Sequence, residues 1–579
     1  MILSLLVLLL SSNAVTLKKD KSILCSRIVI IALSLISFIA LNSLFIKSLE
    51  KGIGIYGGLF NVTTFSQTFN IFIFLISAVI LALTGFFPRK VCVKQYSSLY
   101  HLFFLKFLYD KDTISNKTGE QFRIIEYALV IVFILSGALF LISTGDLISV
   151  FLSIELQSYG LYILCTLYRD SELATGSGLI YFLLGGLSSC FILLGSSLLY
   201  ANSGTTGLDN IYIITSISEI KSPTDFIISY EAHYLHMSLI ILSVGFLFKV
   251  GAAPFHFWSP VVYDGIPTIV TTFVAIVAKI SIFAFFLELV YYTEYYFFDF
   301  SWKNVLLLSS LFSLIVGSVL GLTQFRIKRL FAYSTISHVG FILLALCINS
   351  VESIESYIFY ILQYTLSNLN AFFILVSIGF SLYLYVYNDE NKKHKLIEQN
   401  NSPIQLIDQI KGYFYINSFI AISLAITLFS FIGIPPVIGF FAKQMILSAA
   451  LDNSFVFMAL IAILTSVIGA AYYLNVIKEI FFYKDNYIKE PFKNTVEHKH
   501  LINSFYDSIL FGYILPRGKE NANIAEISKK ISFTPQNITL NSSLTNVISI
   551  ITLLQILFIY TPDNWFNIVN ILTLILFYD

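Results

Sequence analysis

Residues 248–267 combine a lysine with a helix-breaking segment inside a long apolar run, and they read Phe248-Lys-Val-Gly-Ala-Ala-Pro-Phe-His-Phe-Trp-Ser-Pro-Val-Val-Tyr-Asp-Gly-Ile-Pro267. A second stretch of the same kind reads Gly433-Ile-Pro-Pro-Val-Ile-Gly-Phe-Phe-Ala-Lys443. Proline lacks a backbone N–H and clashes with the preceding helical turn, so each helix should be interrupted at this point. Paired breaks in corresponding parts of a chain are typical of transporters built from inverted repeats.

The composition around these stretches is that of a membrane protein. The 579 residues are 57% hydrophobic, 16% aromatic and 12% charged, with a mean hydropathy of +0.81. An ordinary soluble domain has about 25% charged residues, so the composition argues against a water-soluble fold. With 35 basic and 34 acidic residues the net charge is +1, which gives no indication of a nucleic-acid partner or an acidic substrate.

Apolar runs of helical length predict an all-α polytopic membrane protein. A bilayer core about 30 Å thick needs about 20 apolar residues in a helix, and fourteen runs of roughly this kind occur. The predicted spans are 1–17, 24–46, 66–87, 124–143, 145–168, 173–200, 234–258, 267–291, 303–323, 330–349, 353–386, 418–450, 454–482 and 546–560. The shorter apolar stretch 564–577 is expected to lie at the membrane interface.

The basic residues predict the orientation of these spans, because Lys and Arg concentrate in loops on the non-translocated side. Of the 35 basic residues, 28 lie in the loops after spans 1, 3, 5, 9, 11 and 13 or near the span ends beside them, and four lie in or beside the loops on the opposite side. This asymmetry predicts that both termini lie outside. The remaining three basic residues are lysines deep within predicted spans.

Those three lysines and one glutamate carry a free-energy cost, because inserting a charged side chain at mid-membrane costs about 2.5–3.5 kcal/mol or more. The candidates are Glu155 in span 5, Lys249 in span 7, Lys279 in span 8 and Lys443 in span 12, with His338 in span 10 as a fifth polar residue. Snorkelling does not explain Glu155 or Lys279, since the nearest helix ends are about 15 Å or more away at about 1.5 Å per residue.

We interpret these five residues as candidates for proton transfer. Burial disfavours the charged form of such a group, while a neighbouring opposite charge favours it. Three lysines cannot all pair with one glutamate, so at least two of them need water, polar neighbours or a neutral state. A row of such groups at mid-membrane is typical of a proton relay. A structural role stays open for a pair of Glu155 with Lys249 and for His338, since a single intramembrane histidine is often only hydrogen-bonded.

The breaks divide the chain into predicted segments. Spans 4–8 (124–291) and spans 9–13 (303–482) form two five-helix repeats, in which the discontinuous helices 7 and 12 correspond. An odd number of spans in each repeat requires the second copy to be inverted. Residues 1–123 form an N-terminal three-helix segment with a loop, and residues 483–579 form a loop, span 14 and the interfacial segment.

Cofactor sites are not predicted in this chain. The five cysteines, at 25, 92, 165, 190 and 347, are scattered and lack the spacing of iron-sulfur, zinc or disulfide frameworks. Gly52-Ile-Gly-Ile-Tyr-Gly57 matches the dinucleotide fingerprint but lacks its strand, helix and acidic residue, so we interpret it as a flexible turn.

Two further motifs complete a pattern that resembles a known family. They read Ile148-Ser-Val-Phe-Leu-Ser-Ile-Glu155-Leu-Gln-Ser-Tyr159 and Lys328-Arg-Leu-Phe-Ala-Tyr-Ser-Thr-Ile-Ser-His338-Val-Gly-Phe341. Together with 248–267 and 433–443, they closely resemble the antiporter-like membrane subunits of respiratory complex I. The motif-rich part of the resemblance covers 124–480, and the first three spans fit by topology.

The resemblance implies a role for each charged candidate. Glu155 is then the glutamate that modulates Lys249, Lys279 is the bridging lysine, and Lys443 is the lysine of span 12. The implied function is proton translocation across the mitochondrial inner membrane, with both termini on the intermembrane-space side. NADH, FMN, iron-sulfur clusters and ubiquinone then belong to other subunits, and the partners are neighbouring antiporter-like and small membrane subunits together with the lipid bilayer.

Two other classes of function remain open. A cation/proton antiporter of the Mrp type shares the fold and many of the motifs. A structural membrane subunit without its own proton channel is disfavoured only by the energetic cost of the intramembrane charges.

Overall fold

A computed structural model describes residues 1–15, 22–49, 52–84, 126–168, 171–220, 226–293, 302–381, 385–387, 404–483, 487–489 and 542–578. Within these ranges the chain is an all-helical membrane fold with many apolar helices. The predicted loops 88–123 and 483–545 lie outside the described residues except at 483, 487–489 and 542–545.

The α-helices of the described ranges are numbered here in chain order. Up to residue 293 they are α1 (Ile2–Val15), α2 (Ser22–Ser43), α3 (Thr64–Thr84), α4 (Glu126–Ile142), α5 (Leu147–Thr166), α6 (Glu172–Ser203), α7 (Leu208–Ile220), α8 (Phe226–Val250), α9 (Trp258–Gly265) and α10 (Thr268–Tyr292). Thereafter they are α11 (Trp302–Leu322), α12 (Ile327–Ile348), α13 (Val351–Ser381), α14 (Ser418–Ile432), α15 (Ile438–Asp452), α16 (Val456–Phe482), α17 (Ser542–Leu557) and α18 (Pro562–Tyr578).

Two small antiparallel sheets accompany the helices. Strand β1 (Ile53–Ile55) pairs with β2 (Phe60–Val62), and β3 (Tyr385–Tyr387) pairs with β4 (Tyr487–Lys489). The first pair changes our interpretation of 52–57, because this segment is part of a hairpin and not a flexible turn. Gly57 and Gly58 make its tight turn with positive φ values of 73° and 94°, which residues with a side chain rarely adopt.

The long helices account for most of the predicted spans. Nine helices of the described residues are long and apolar enough to cross a membrane, or ten if α17 and α18, which meet at 93°, form one broken span. Four shorter apolar helices fall within predicted spans 1, 4, 7 and 12. Two of these apolar stretches, Tyr234–Val250 on α8 and Ser418–Ile432 on α14, end at the proline-containing breaks. The sequence did not predict α7, which lies in an expected loop and is too short to span.

Burial separates the central helices from those that face outward. The most apolar 18-residue stretch of each helix is 94% buried in α10, 89% in α13 and 83% in α12, compared with 39% in α6 and in α16. A helix that is apolar on all sides and buried on all sides lies at the centre of a bundle. Lys279 on α10 and His338 on α12 therefore lie in the core of the protein.

The two predicted breaks have matching backbone geometry. α8 ends where Gly251, at φ 76°, donates its N–H to Leu247 O at 3.0 Å. α14 ends where Gly433, at φ 85°, donates its N–H to Phe429 O at 2.9 Å. A left-handed glycine after the last turn is a common helix stop, and the prolines that follow prevent the helix from continuing.

Close helix contacts also recur in the two halves. A Cβ atom added at Gly137 on α4 would lie 2.5 Å from the backbone nitrogen of Gln157 on α5. One added at Gly317 on α11 would lie 2.6 Å from the backbone nitrogen of Ser337 on α12. Small residues let transmembrane helices approach until their backbones touch, and van der Waals packing then holds the helices together.

Substituting Gly317 should loosen this contact. We expect Gly317→Val to lower the free energy of unfolding by about 1–3 kcal/mol, because the rigid backbone of Ser337 cannot yield to the new side chain. Reaction of the buried cysteine thiols with a maleimide dye during heating measures this. Gly186→Val is the matched control, since no atom lies within 4 Å of a Cβ at Gly186. Equal melting of the two variants contradicts the packing argument.

Candidate functional site

Glu155 and Lys249 form a largely buried ion pair between α5 and α8. Lys249 Nζ lies 3.1 Å from Glu155 Oε1, and the Lys249 and Glu155 side chains are 6% and 12% exposed. The ammonium also donates to the Tyr162 hydroxyl at 3.3 Å and lies 5.8 Å from the centre of that ring. The structure therefore brings together the two residues whose pairing the sequence left open, and adds a tyrosine to them.

A pair of polar side chains joins the helix of Glu155 to the helix of Lys279. Gln157, two residues after Glu155, exchanges hydrogen bonds of 2.9 and 3.1 Å with Ser281, two residues after Lys279. Both side chains are buried. Buried polar groups need such partners, so this exchange fixes α5 against α10 beside two of the candidate residues.

Lys279 lies deeper than Lys249 and has a different environment. Its side chain is 2% exposed, and Nζ donates to Thr335 Oγ1 at 3.3 Å. The rings of Tyr263 and Tyr364 each lie with their centres 5.9 Å from Nζ. Among the described residues no carboxylate lies within 4 Å of this ammonium, so a hydroxyl and two aromatic faces are its neighbours.

His338 is buried on α12, one helical turn after Thr335. Its Nδ1 lies 2.7 Å from the Tyr360 hydroxyl. Its Nε2 is buried and has no hydrogen-bond partner within the described ranges. The Phe431 ring lies 5.2 Å from the imidazole, centre to centre. One nitrogen of the imidazole is therefore fixed by a tyrosine, and the other is available to a further polar group.

Lys443 reaches back from α15 to the broken end of α14. Its Nζ donates to Phe431 O at 2.9 Å and to Ile432 O at 2.8 Å, and it lies 5.2 Å from the centre of the Phe341 ring. The last carbonyls of a helix carry partial negative charge and lack intrahelical donors, so they stabilise a cation. The proline-containing break thus supplies the groups that hold this lysine.

A small cavity connects His338 with Lys443. Both residues line it, together with Phe341, Phe431, Tyr472 and Tyr473. The structure therefore places these two candidates beside one space, although no direct hydrogen bond joins them among the described residues.

At the first break, a carbonyl near the end of α8 accepts its hydrogen bond from an indole and not from a lysine. The indole Nε1 of Trp258, at the start of α9, donates to Phe248 O at 2.8 Å. Lys249 precedes this break, and its ammonium contacts Glu155. The two broken helices thus share their backbone geometry but hold their lysines in different ways, one by a carboxylate and the other by backbone carbonyls.

One basic residue that we assigned to a loop lies instead inside the protein. Lys328, near the start of α12, is 1% exposed, and its Nζ donates to Ile266 O at 2.6 Å. The adjacent Asp264 carboxylate accepts from Arg326 Nη1 at 2.7 Å and from Arg329 Nε at 3.0 Å. These contacts tie the end of α9 to the start of α12, which explains why Lys328 is covered.

Several neighbours of the candidates carry no charge, and sequence reasoning missed them. Tyr162, Thr335 and Tyr360 contact Lys249, Lys279 and His338 respectively. In the sequence only their positions could have indicated these contacts, since Tyr162 follows Glu155 by two helical turns and Thr335 precedes His338 by one.

Among the described residues, no group of three or more His, Cys, Asp or Glu side chains could hold a metal ion.

The fold and the row of buried ionisable residues define a class of protein, the antiporter-like membrane subunits. A family model described as "NADH:quinone oxidoreductase/Mrp antiporter, TM" matches residues 144–469. The chain is 43% identical over 556 residues to "NADH-ubiquinone oxidoreductase chain 2" of Rhizopus oryzae, covering 96% of this chain and 95% of the relative.

Solved structures have the same fold at low sequence identity. A chain of respiratory complex I from Thermus thermophilus is 21% identical, with a TM-score of 0.62 and coverage of 96% of this chain and 97% of that chain. A chain of the Mrp complex from Dietzia sp. is 15% identical, with a TM-score of 0.67 and coverage of 100% and 97%. The chain belongs to the NADH:quinone oxidoreductase/Mrp antiporter family and, within it, groups with the chain 2 members.

A double-mutant cycle tests the buried pair. We expect Glu155→Gln to lower the free energy of unfolding by about 3 kcal/mol, because it leaves Lys249 buried without a counter-charge. Adding Lys249→Met should recover much of that loss, since replacing both members of a buried pair is often close to neutral. Thermal unfolding of the unmodified protein, of Glu155→Gln, of Lys249→Met and of the double variant gives the coupling energy.

The exposed pair of Lys411 with Asp408 is the matched control for this cycle. Its charged atoms lie 3.0 Å apart, but the side chains are 27% and 60% exposed. Such pairs contribute about 0–1 kcal/mol. Similar coupling energies for the two pairs contradict the importance of burial.

Proposed function

We propose that the chain is a proton-translocating membrane subunit of complex I. The observation that carries this proposal is the buried set of ionisable groups at Glu155, Lys249, Lys279, His338 and Lys443, in a chain whose full-length relative is a complex I subunit. Charges are costly at membrane depth, and those that occur there usually mark ion or proton pathways.

The redox chemistry takes place in other subunits of the complex. NADH, FMN, iron-sulfur clusters and ubiquinone are bound there, and their reactions drive the protons that this chain carries. The chain's partners are then the neighbouring antiporter-like and small membrane subunits, together with the lipid of the mitochondrial inner membrane. The distribution of basic residues supports both termini lying on the intermembrane-space side.

The chain crosses the membrane fourteen times, and two inverted five-helix repeats build its central part. Matching backbone geometry at Gly251 and Gly433 supports this arrangement. So does the close approach of α4 to α5 and of α11 to α12, at Gly137 and Gly317. Repeats of this kind place their functional groups at discontinuous helices near the middle of the membrane.

Proton transfer begins at the ion pair. The Glu155 carboxylate stabilises the ammonium form of Lys249, so a change in the charge or hydration of Glu155 makes Lys249 release its proton. Lys279 accepts this proton through water, because no direct hydrogen bond joins the two lysines among the described residues. Since the groups interact, they titrate as a coupled set.

Lys443 receives the proton on the far side of α12. His338 lies beside the same cavity as Lys443, and its unpartnered Nε2 is available to water there. The proton therefore passes from Lys279 by way of His338 Nε2 and cavity water. Tyr360 holds the ring through Nδ1, which leaves Nε2 free to exchange.

An independent Mrp-type cation/proton antiporter is the second candidate. The fold likeness to the Mrp complex chain favours it, but that likeness comes with 15% identity and extends to complex I as well. The full-length match to a chain 2 relative favours complex I. Comigration of the chain with NADH-oxidising activity on a native gel separates the two functions.

Replacing Lys249 should disrupt pumping in the assembled complex. We expect Lys249→Ala to lower the ratio of protons moved to NADH oxidised, or to block coupled turnover, because Glu155 loses the group that it modulates. Proton uptake and NADH oxidation are measured together in sealed vesicles. Lys478→Ala is the control, since this lysine is exposed on α16.

The outcome also decides whether the charges are only structural. In a structural subunit, neutral substitutions at the buried charges leave the proton ratio unchanged once the complex has assembled. A native gel with NADH staining establishes assembly. An unchanged rate and stoichiometry in a fully assembled Lys249→Ala complex contradicts the proposed function.

A further inference from the structure

We propose that a buried polar cluster of Gln363, Ser367, Ser430 and Gln555 binds water next to Lys443 and exchanges protons with it. The inference rests on the proposed function, because it assigns Lys443 a second proton partner besides the His338 cavity. The four residues come from three helices, α13, α14 and α17, and sequence reasoning singled out none of them. We name this group the amide cluster.

The amide cluster is a connected set of hydrogen bonds. Gln363 Nε2 donates to Ser430 Oγ and to Ser367 Oγ, both at 3.2 Å. The hydroxyls of Ser367 and Ser430 lie 3.0 Å apart, and Gln555 Nε2 donates to Ser367 Oγ at 3.4 Å. Each of the four side chains is at most 1% exposed. The cluster therefore links α17 to the end of α14 through the core.

The cluster is not complete by itself. Gln363 Oε1 and Gln555 Oε1 are buried and accept no hydrogen bond within the described part of the chain. Turning either amide by 180° exchanges its oxygen and nitrogen, and one end still lacks a partner. Asn370, two turns after Gln363 on α13, is fully buried with both amide atoms unpartnered among the described residues.

Unpartnered buried amides point to bound water. An unsatisfied buried polar group costs about 1–3 kcal/mol, and internal waters typically satisfy such groups. A network that served only to hold helices together would satisfy its own members. This network instead leaves two of its own amide oxygens, those of Gln363 and Gln555, without a partner among the described residues.

The position of Ser430 connects the cluster to Lys443. Ser430 immediately precedes Phe431, whose carbonyl accepts from Lys443 Nζ at 2.9 Å. The first turn of α15 packs on the same place, since a Cβ atom at Gly439 would clash with Ser430 O. The carbonyl that accepts from the lysine ammonium and the Ser430 hydroxyl of the amide cluster thus belong to adjacent residues at the broken end of α14.

The other end of the cluster is closed by aromatic rings. Phe558 follows Gln555 by one turn, and its ring lies 5.3 Å from that of Phe441, 5.5 Å from Phe359 and 5.8 Å from Phe566, centre to centre. These rings separate Gln555 from the surroundings of the bundle. The rings therefore shield the cluster from the surroundings of the bundle on this side.

The proton balance is simple. Lys443 in its ammonium form gives one proton from Nζ to a cluster water and becomes a neutral amine, and the water becomes hydronium. The amide oxygens of Gln363 and Gln555 accept hydrogen bonds from the hydronium, which stabilises its charge. The neutral Lys443 then accepts the next proton from the side of the His338 cavity. Neither glutamine nor serine changes its own protonation, so water is the carrier.

Gln555→Leu in the assembled complex tests this inference. The substitution keeps the approximate volume and removes the amide, so coupled proton movement should slow about tenfold, equivalent to about 1.4 kcal/mol in the barrier. Thr552→Val is the matched control, because Thr552 lies one turn away on α17 and bonds only its own helix, at Ser549 O. Ser367→Ala is a second, milder variant with the same expected direction should the first fail to assemble.

Lys443→Met separates a failure of this inference from a failure of the proposed function. Slow pumping in both Lys443→Met and Gln555→Leu, with normal pumping in Thr552→Val, supports the amide cluster. If Lys443→Met pumps slowly but Gln555→Leu and Ser367→Ala both pump at the rate of the unmodified complex, the inference about the amide cluster is wrong. The proposed function then stays intact. Normal pumping in Lys443→Met contradicts the role of that lysine itself, and with it the cluster.

Discussion

The burial of ammonium groups in an apolar bundle is the constraint on which the rest of this structure depends. Each buried lysine needs a group of opposite charge or a set of electron-rich neighbours, because the hydrocarbon of a membrane supplies neither. Lys249 has the Glu155 carboxylate, Lys279 has a hydroxyl and two tyrosine rings, and Lys443 has two backbone carbonyls. One lysine thus has a charged partner, whereas the other two have neutral partners.

The interrupted helices are part of the same solution. A continuous helix uses its carbonyls internally, whereas a broken one leaves the last of them free. At the second break Lys443 takes up these carbonyls, and at the first break Trp258 does so and leaves Lys249 to its carboxylate. Lys249 lies before its break and Lys443 after its own, so the two lysines are held differently although the backbone geometry of the breaks matches. The helix breaks position the charges as well as shape the fold.

Much of this arrangement could be predicted from the sequence. Charges stand out in apolar runs, and proline with glycine marks a helix end, so Glu155, the three lysines and both breaks were visible. The partners that satisfy them were not, because tyrosine, threonine and glutamine occur throughout the chain and only packing between distant helices brings particular ones to a charge. Lys328 was misassigned for the same reason, since Ile266 O, which covers it, is far away in sequence.

The central claim, that the buried lysines carry protons, is tested most directly at Lys279. This lysine has no carboxylate partner among the described residues, so Lys279→Met leaves no carboxylate unpaired. The substitution also removes a charge whose burial is costly. Loss of function then reflects the missing ammonium and not a damaged fold. The measurement is the number of protons moved per NADH oxidised by the assembled variant complex in sealed vesicles. Our account predicts a lower ratio or blocked coupled turnover, and a ratio and rate equal to those of the unmodified complex would contradict it.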